Sequence, residues 1–232
     1  MATSPNFHLP ERLKTRPVDI IALGNAKLEM ILQVADRPAG WGQQDTAIPL
    51  PVYSAGGCAT NVACVAARLG ARAQLVCRLG DGRYGGEVMA EITASGVDAA
   101  HLIQLPGAAG NLLIITTNPA GDWSVLSYQD PALLLQPEDI PDETAFAQTK
   151  ILHIDGFSFE GPAQKAAVEL AIARAHAQGC LVAIDAAVPV AQAEPDYLAL
   201  LFGRCDILFA NLAEAQLITG SSDLDGAVRG LR

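Results

Sequence analysis

The chain has 232 residues, with fifteen lysines and arginines against twenty-five aspartates and glutamates, a net charge of −10 and no basic run that would follow a line of phosphates, which excludes a nucleic-acid partner. Half of the residues are hydrophobic and 17% are charged, enough for one sizeable core at the length of a single α/β domain. No window reaches the roughly eighteen apolar residues of a membrane span, the opening "MATSPNFHLPERLKTRP" has no signal-peptide core, and five cysteines without C-x-x-C spacing fit a reducing cytosol, so the expected setting is cytoplasmic with no membrane partner.

Apolar runs then alternate with helical spacing. Val18 to Leu23 ("VDIIAL") predicts a strand ending at Gly24. Thr46 to Tyr53, with prolines at 49 and 51, predicts part of an antiparallel excursion. Asn61 to Leu69 puts Val62, Val65, Ala66 and Leu69 on one helical face before Gly70. Ala73 to Leu79 is a second strand, Glu87 to Ser95 a second helix before Gly96, and His101 to Leu105 a short strand. Asn111 to Tyr128, around "NPAGDW", predicts antiparallel strands with turns. Next come a strand at Lys150 to Asp155, a helix from about Pro162 to Gln178, and strands at Leu181 to Asp185 and Asp206 to Asn211. Continuous apolar strands separated by helices predict a mainly parallel sheet covered on both faces.

Gly80-Asp81-Gly82-Arg83-Tyr84-Gly85 spells G-x-G-x-x-G after the second strand. A dinucleotide turn follows the first strand of its unit and needs an acid at the end of the next strand to hold the ribose. Here the next strand ends in Leu105-Pro106-Gly107, and Asp98 lies at its wrong end. An NAD-dependent enzyme is therefore a remote alternative, and the glycines are expected only to turn the chain.

A stronger constellation lies upstream. In "AGGCATNVACVAARLG" the pair Gly56-Gly57 leads into a helix whose first turn carries Asn61. Backbone amides at such a start point outward and the Asn amide both donates and accepts, which suits a hydroxylated or anionic ligand. Gly56-Gly57, Asn61, Ala63, Gly70 and Gly80 fall at the intervals of the first signature of the ribokinase-like (PfkB) carbohydrate kinases, which the sequence resembles here without a gap. The resemblance implies a three-layer α/β/α fold over residues 17–232 with a mainly parallel central sheet. It also implies a small β lid, inserted at about 33–53 and 101–128, that closes over the sugar and serves as a possible homodimer contact. Trp41 or Trp123 would mark an exposed lid face.

The same resemblance implies site residues. "DIIALGNAKLEMILQV" is similar to the opening strand that places a carboxylate at the sugar, here Glu29, with Lys27 where many relatives have Asn. "LGDGRYGG" resembles the G-D-D-x-x-G turn at one side of the sugar pocket, with Asp81 kept and Gly82 replacing the second acid. "HIDGF" supplies Asp155 near the substrate, and "LVAIDAAVP" resembles D-x-N-x-R with Asp185 kept and Ala187 at the Asn position. "DILFANLAEAQLITG" matches N-x-x-E at Asn211 and Glu214, which share a helix face and are expected to order Mg²⁺-bound water and phosphate oxygens. An isolated Glu214 would instead be a solvated helix carboxylate.

The activity so implied is transfer of the γ-phosphoryl of ATP, assisted by Mg²⁺, to a hydroxyl of a sugar or nucleoside. In the family the base and the anion hole belong to a late G-A-G-D motif. The chain contains no G-A-G-D and stops at Arg232, so no catalytic residue and no direct metal ligand is assigned. The expectation is a fragment that carries the acceptor side, because a missing edge would uncover an apolar parallel sheet, with its base and anion hole in an absent C-terminal segment and therefore no activity alone. The alternative class is a catalytically silent sugar-binding or regulatory homologue, suggested by Glu29, Gly82 and Ala187. Lys27, Glu29 and Cys58 depart from the positions that would choose among ribose, fructose, adenosine and other acceptors.

Overall fold

The computed structural model describes residues 8–36, 40, 42, 46–47, 49–159, 161–193 and 195–231. The chain opens with α1 (Glu11–Lys14), β1 (Val18–Leu23), β2 (Lys27–Gln33), β3 (Val52–Gly56) and α2 (Cys58–Arg68). It continues through β4 (Ala73–Gly80), α3 (Arg83–Ala94), β5 (Leu102–Leu105), β6 (Leu112–Thr117) and β7 (Trp123–Tyr128). After α4 (Glu143–Ala147) come β8 (Thr149–Ile154), α5 (Gly161–Ala177), β9 (Leu181–Asp185), α6 (Val188–Ala193) and α7 (Pro195–Phe202). The last elements are β10 (Ile207–Phe209), α8 (Leu212–Thr219) and α9 (Leu224–Gly230).

Among the described residues the strands form two sheets. The main sheet is parallel, in the order β10-β9-β8-β1-β4-β5. Strand alternation divides its side chains between two cores. Ile21, Leu23, Leu152, Ile154, Val182 and Ile184 pack against α5 and α7, while Ala22, Leu75, Cys77 and Leu79 pack against α2 and α3. Each fully buried Leu or Ile contributes about 1.5–3 kcal/mol, so covering both faces is what holds the parallel sheet. Cys64, Cys77 and Cys180 are buried free thiols within these layers. No helix among the described residues is long and apolar enough to cross a membrane.

The second sheet has the order β3-β2-β6-β7, with antiparallel pairs β2–β3 and β6–β7 joined by the parallel pair β2–β6. This is the expected β excursion with shifted boundaries. The continuation of the opening strand leaves the main sheet after Gly24 and joins the second sheet at Lys27 rather than at residue 33. Leu102–Leu105, expected in the lid, pairs with β4 at the edge of the main sheet, where Leu102 packs onto the core beneath α3. Residues 49–51 stay outside the strands because proline donates no ladder hydrogen bond, so β3 begins at Val52. Trp41 lies outside the described residues, and Trp123 on β7 is exposed.

Helix α3 starts at Arg83, four residues before its expected beginning and inside the G-x-G-x-x-G. Backbone crowding explains the glycines there. A Cβ on Gly80 would collide with the Ala108 carbonyl, and one on Gly85 with the Gly80 carbonyl. The turn therefore packs backbone to backbone against the loop that leads to β6. Asp81 ties that loop down by accepting a hydrogen bond from the Gly107 N–H at 2.8 Å.

Candidate active site

From β1 the chain winds to β4 and β5 on one side, and from β8 to β9 and β10 on the other, so its connections part between the carboxyl ends of β1 and β8. An open α/β sheet forms its ligand crevice at such a point. Asp155 follows β8 there and accepts hydrogen bonds from the backbone N–H of Phe157, at 2.8 Å, and of Ala59. Ala59 lies in the first turn of α2, so the carboxylate meets the positive end of that helix. Glu29 approaches the same helix start, its Oε1 accepting from the Gly57 N–H at 3.3 Å.

The helix start thus differs from its expected form. Its outward amides were expected to meet a ligand directly, whereas two of them are taken by protein carboxylates, because unsatisfied N–H groups at a helix start draw the nearest anion. The glycine pair makes this possible. Gly57 has φ +92°, and a Cβ on Gly56 would overlap the Glu29 carboxyl group. Asn61 is exposed one turn into α2.

Electrostatic coupling ties these groups into one cluster. Burial pushes the Asp155 carboxyl up to about 6, against the two backbone hydrogen bonds, with Asp185 adding to the rise and Lys27 opposing it. Burial, then the charges of Asp155, Asp185 and Glu29, push the Cys58 thiol up to about 12, and Lys27 again acts in the opposite direction. Asp185 is raised by burial and by the neighbouring charge of Glu214. Asp155 is only 1% exposed and forms the floor of the cluster, whereas Lys27, Glu29, Cys58 and Asp185 are half-buried at its surface. Asp81 stands apart on the loop-holding contact with Gly107.

Behind Asp155 lies a polar network that the sequence reading missed. Asn25 donates to the Phe157 carbonyl at 3.3 Å and accepts from Gln164 at 3.3 Å, and its own carbonyl accepts from the Thr60 hydroxyl at 3.4 Å. Asn25, Thr60 and Gln164 are all buried. Their signal was a polar side chain directly after an apolar strand and Gly24, where burial without a partner would be costly.

Asn211 and Glu214, expected to share a helix face, are joined instead by a reciprocal cap in which Asn211 is the N-cap of α8. Asn211 Oδ1 accepts from the Glu214 N–H at 3.0 Å, and Glu214 Oε2 accepts from the Asn211 N–H at 2.8 Å. Glu214 is buried, not a solvated helix carboxylate. Replacing either residue by Ala is expected to lower stability by about 1 kcal/mol in urea denaturation, with the double variant costing less than the sum. Among the described residues no group of three or more His, Cys, Asp or Glu side chains is placed to hold a metal ion. A cavity of about 630 Å³ lies elsewhere, at the β6–β7 turn beside Asn118 and Trp123.

Residues 20–231 match the sequence model of the pfkB family carbohydrate kinases. The chain belongs to this family. The pfkB chain is 28% identical over 173 residues to 5-dehydro-2-deoxygluconokinase of Geobacillus kaustophilus (strain HTA426), which covers 73% of this chain and 50% of that protein. It is 25% identical over 177 residues to fructokinase-2 of Solanum habrochaites, covering 73% of this chain and 54% of the relative. The chain spans about half the length of the curated relatives it matches. Its fold is that of adenosine kinase from Sinorhizobium meliloti, with a TM-score of 0.79 at 25% identity over 91% of this chain and 70% of that one. Fructokinase with bound ATP from Xylella fastidiosa superposes with a TM-score of 0.74 at 21% identity, over 93% of this chain and 68% of that one. The expected ribokinase-like α/β architecture is thereby shown.

Proposed function

We propose that this pfkB chain is the acceptor-binding part of an ATP-dependent kinase that phosphorylates a hydroxyl of a sugar or nucleoside in the cytoplasm. The observation that carries the reading is the meeting of Glu29, Cys58, Asp155 and Asp185 at the carboxyl ends of the parallel strands. Relatives named for 5-dehydro-2-deoxygluconate and fructose support a small sugar, and the adenosine kinase keeps a nucleoside in view.

In this reading Glu29, fixed by the Gly57 amide, and the exposed Asn61 hold acceptor hydroxyls. Asp155 keeps the start of α2 in place beneath them, and Asp81 fixes the loop that walls one side. Asp185 and Glu214 face the phosphates. Their like charges disfavour one another, a repulsion that a cation relieves, so the pair fits Mg²⁺ held through water and phosphate oxygens. When bound, the ion supplies neutralisation of the charge on the transferring phosphoryl group. The second sheet excludes water from the acceptor as a lid, and its exposed strand β7 supplies a homodimer contact. We place the base and anion hole outside these 232 residues, in a G-A-G-D segment.

A catalytically silent sugar-binding protein is the second reading, favoured by the commitment of Asn211 and Glu214 to capping each other. A coupled assay of ADP release with sugars and nucleosides separates the two. The 232 residues alone are expected to show no turnover, and a chain continued through a G-A-G-D segment to show sugar-dependent turnover. Silence of the longer chain supports the second reading. Turnover by the short chain at a comparable rate places a base among the residues described above.

Asn61→Ala tests the acceptor side without disturbing the fold, since Asn61 is exposed on α2. Affinity for the best sugar is expected to fall by about 1–3 kcal/mol, with an unchanged melting temperature. Calorimetry that finds equal affinity removes Asn61 from the site.

A further inference from the structure

We propose that Glu91 of α3 is a positioning residue for the acceptor site, fixing the root of the second sheet against the main-sheet helices so that Glu29 and Gly57 stay together. The inference rests on the acceptor-site reading above and adds to it a residue that touches no ligand. The chain passes between the two sheets from β1 to β2, from β3 to α2, from β5 to β6 and after β7. All but the β3–α2 passage are fastened to one another by the buried Asn111, which directly precedes β6. Its amide donates to the Ala26 carbonyl ahead of β2 at 3.0 Å and accepts from the Asp130 N–H beyond β7 at 2.9 Å. The β3–α2 passage, which carries the glycine pair, lies outside this knot.

Glu91 holds that passage. Leu28, opposite Ala55 in the β2–β3 pair, sends its own N–H to the Asn111 carbonyl at 2.9 Å. Leu28 and Ala55 are therefore a non-hydrogen-bonded pair, and the Ala55 N–H points outward from the edge strand. Glu91 Oε2 accepts that N–H at 2.5 Å, although the two residues are 36 apart in sequence. Oε1 of the same carboxylate accepts from Arg68, in the last turn of α2, at 3.4 Å. That ion pair is exposed and contributes little, so the contact to Ala55 carries the role. Packing alone does not set the spacing, because a cavity of about 420 Å³ lies along the seam, between Leu28 and Tyr53 on one side and Glu87 and Ala90 of α3 on the other. Ala55 stands two residues before Gly57, whose N–H reaches Glu29 at 3.3 Å. A shift of β3 along the seam therefore passes directly to the Glu29–Gly57 contact and the start of α2. Without the Glu91 contact the arrangement described above is present for only part of the time, and apparent affinity falls by that fraction.

Three substitutions separate the contacts. Glu91→Ala removes both, Glu91→Gln keeps an amide oxygen for the Ala55 N–H, and Arg68→Met removes the ion pair alone. Titration calorimetry on the 232-residue chain, with fructose, ribose and adenosine as probes, is expected to show the best of them weakened about tenfold by Glu91→Ala, restored to within about twofold by Glu91→Gln and unaffected by Arg68→Met. Without ligand, amide hydrogen exchange in Glu91→Ala is expected to quicken at residues 55–57 and to stay unchanged in β1 and β9. Equal or tighter binding by Glu91→Ala, or the same loss in Glu91→Gln, overturns the inference and leaves the acceptor site standing. Exchange that is unchanged at 55–57 does so too, and exchange that quickens throughout, β1 and β9 included, makes Glu91 a residue of general stability and overturns it as well. A wild-type chain that binds none of the three probes overturns the acceptor site and the inference together.

Discussion

Gly57→Ala is expected to abolish acceptor binding and to lower stability by about 2–4 kcal/mol. The left-handed φ of +92° alone costs a residue with a side chain about 1–2 kcal/mol, and the new Cβ would also overlap the Asn25 carbonyl oxygen, a backbone atom that cannot swing aside. Relief requires the start of α2 to move. That movement breaks the Gly57 contact to Glu29 and the Ala59 contact to Asp155, so the acceptor side fails together with the fold. Gly70→Ala provides the control. Gly70 has φ +91°, with nothing within 4 Å of its added Cβ, so only the conformational cost applies and binding is expected to survive. Thermal melts and calorimetry on both variants decide. If Gly57→Ala melts with Gly70→Ala and still binds sugar, the crowding at the helix start does not organise the site.

Asp155→Asn is expected to flatten the pH dependence of stability. Burial pushes the folded-state carboxyl from 3.8 up to about 6, so between those values the folded chain holds a proton that the unfolded chain has released. The contribution of Asp155 to stability therefore falls as pH rises from about 4 to about 6 and is level above, a loss of about 3 kcal/mol for a shift of two units. Asp185 is raised too and acts in the same direction. Asp19 acts oppositely and at lower pH: burial raises its carboxyl, but Lys150 and Arg72 hold it far below the usual range, so its contribution is already complete above about pH 4. The variant should lose about 3 kcal/mol of the wild-type fall, and what remains in this direction is the contribution of Asp185, which still titrates. Its acceptor affinity is expected to drop as the start of α2 loosens. Urea denaturation of both chains at pH 4, 5, 6 and 7 measures this: His101 and His153, both lowered by burial, act in the opposite direction in both chains, so a wild-type minus variant difference that does not fall through the window contradicts a protonated Asp155.

The sequence was most legible where local pattern and tertiary structure agree. β1 and β9 appear at their expected bounds because "VDIIAL" and "LVAID" are continuous apolar runs, buried on both faces by helices. The lid was legible as an excursion but not in its limits, because β2 and β5 are assigned to their sheets by distant partners, β6 and β4, that short-range pattern does not reveal. Helices α6 and α7 had no counterpart in the reading, since prolines interrupt the helical spacing around them. At the site, the residue types at Glu29, Asp155 and Asp185 were readable from spacing and resemblance. That Glu29 and Asp155 would occupy amides of α2 was not, because those contacts join segments 28 and 96 residues apart. The G-x-G-x-x-G belongs to the same class: its glycines answer to the loop at 107–110, which only the folded chain brings against them.

Amide hydrogen exchange of the wild-type chain, with and without a saturating sugar or nucleoside, most directly tests whether the acceptor binds where the strands and α2 converge. Protection is expected at residues 27–29 and at the turn into α2 around 56–62, with the β6–β7 turn around 118–123 unchanged. Protection confined to that turn and its cavity, with none at the start of α2, would contradict the assignment of the acceptor site.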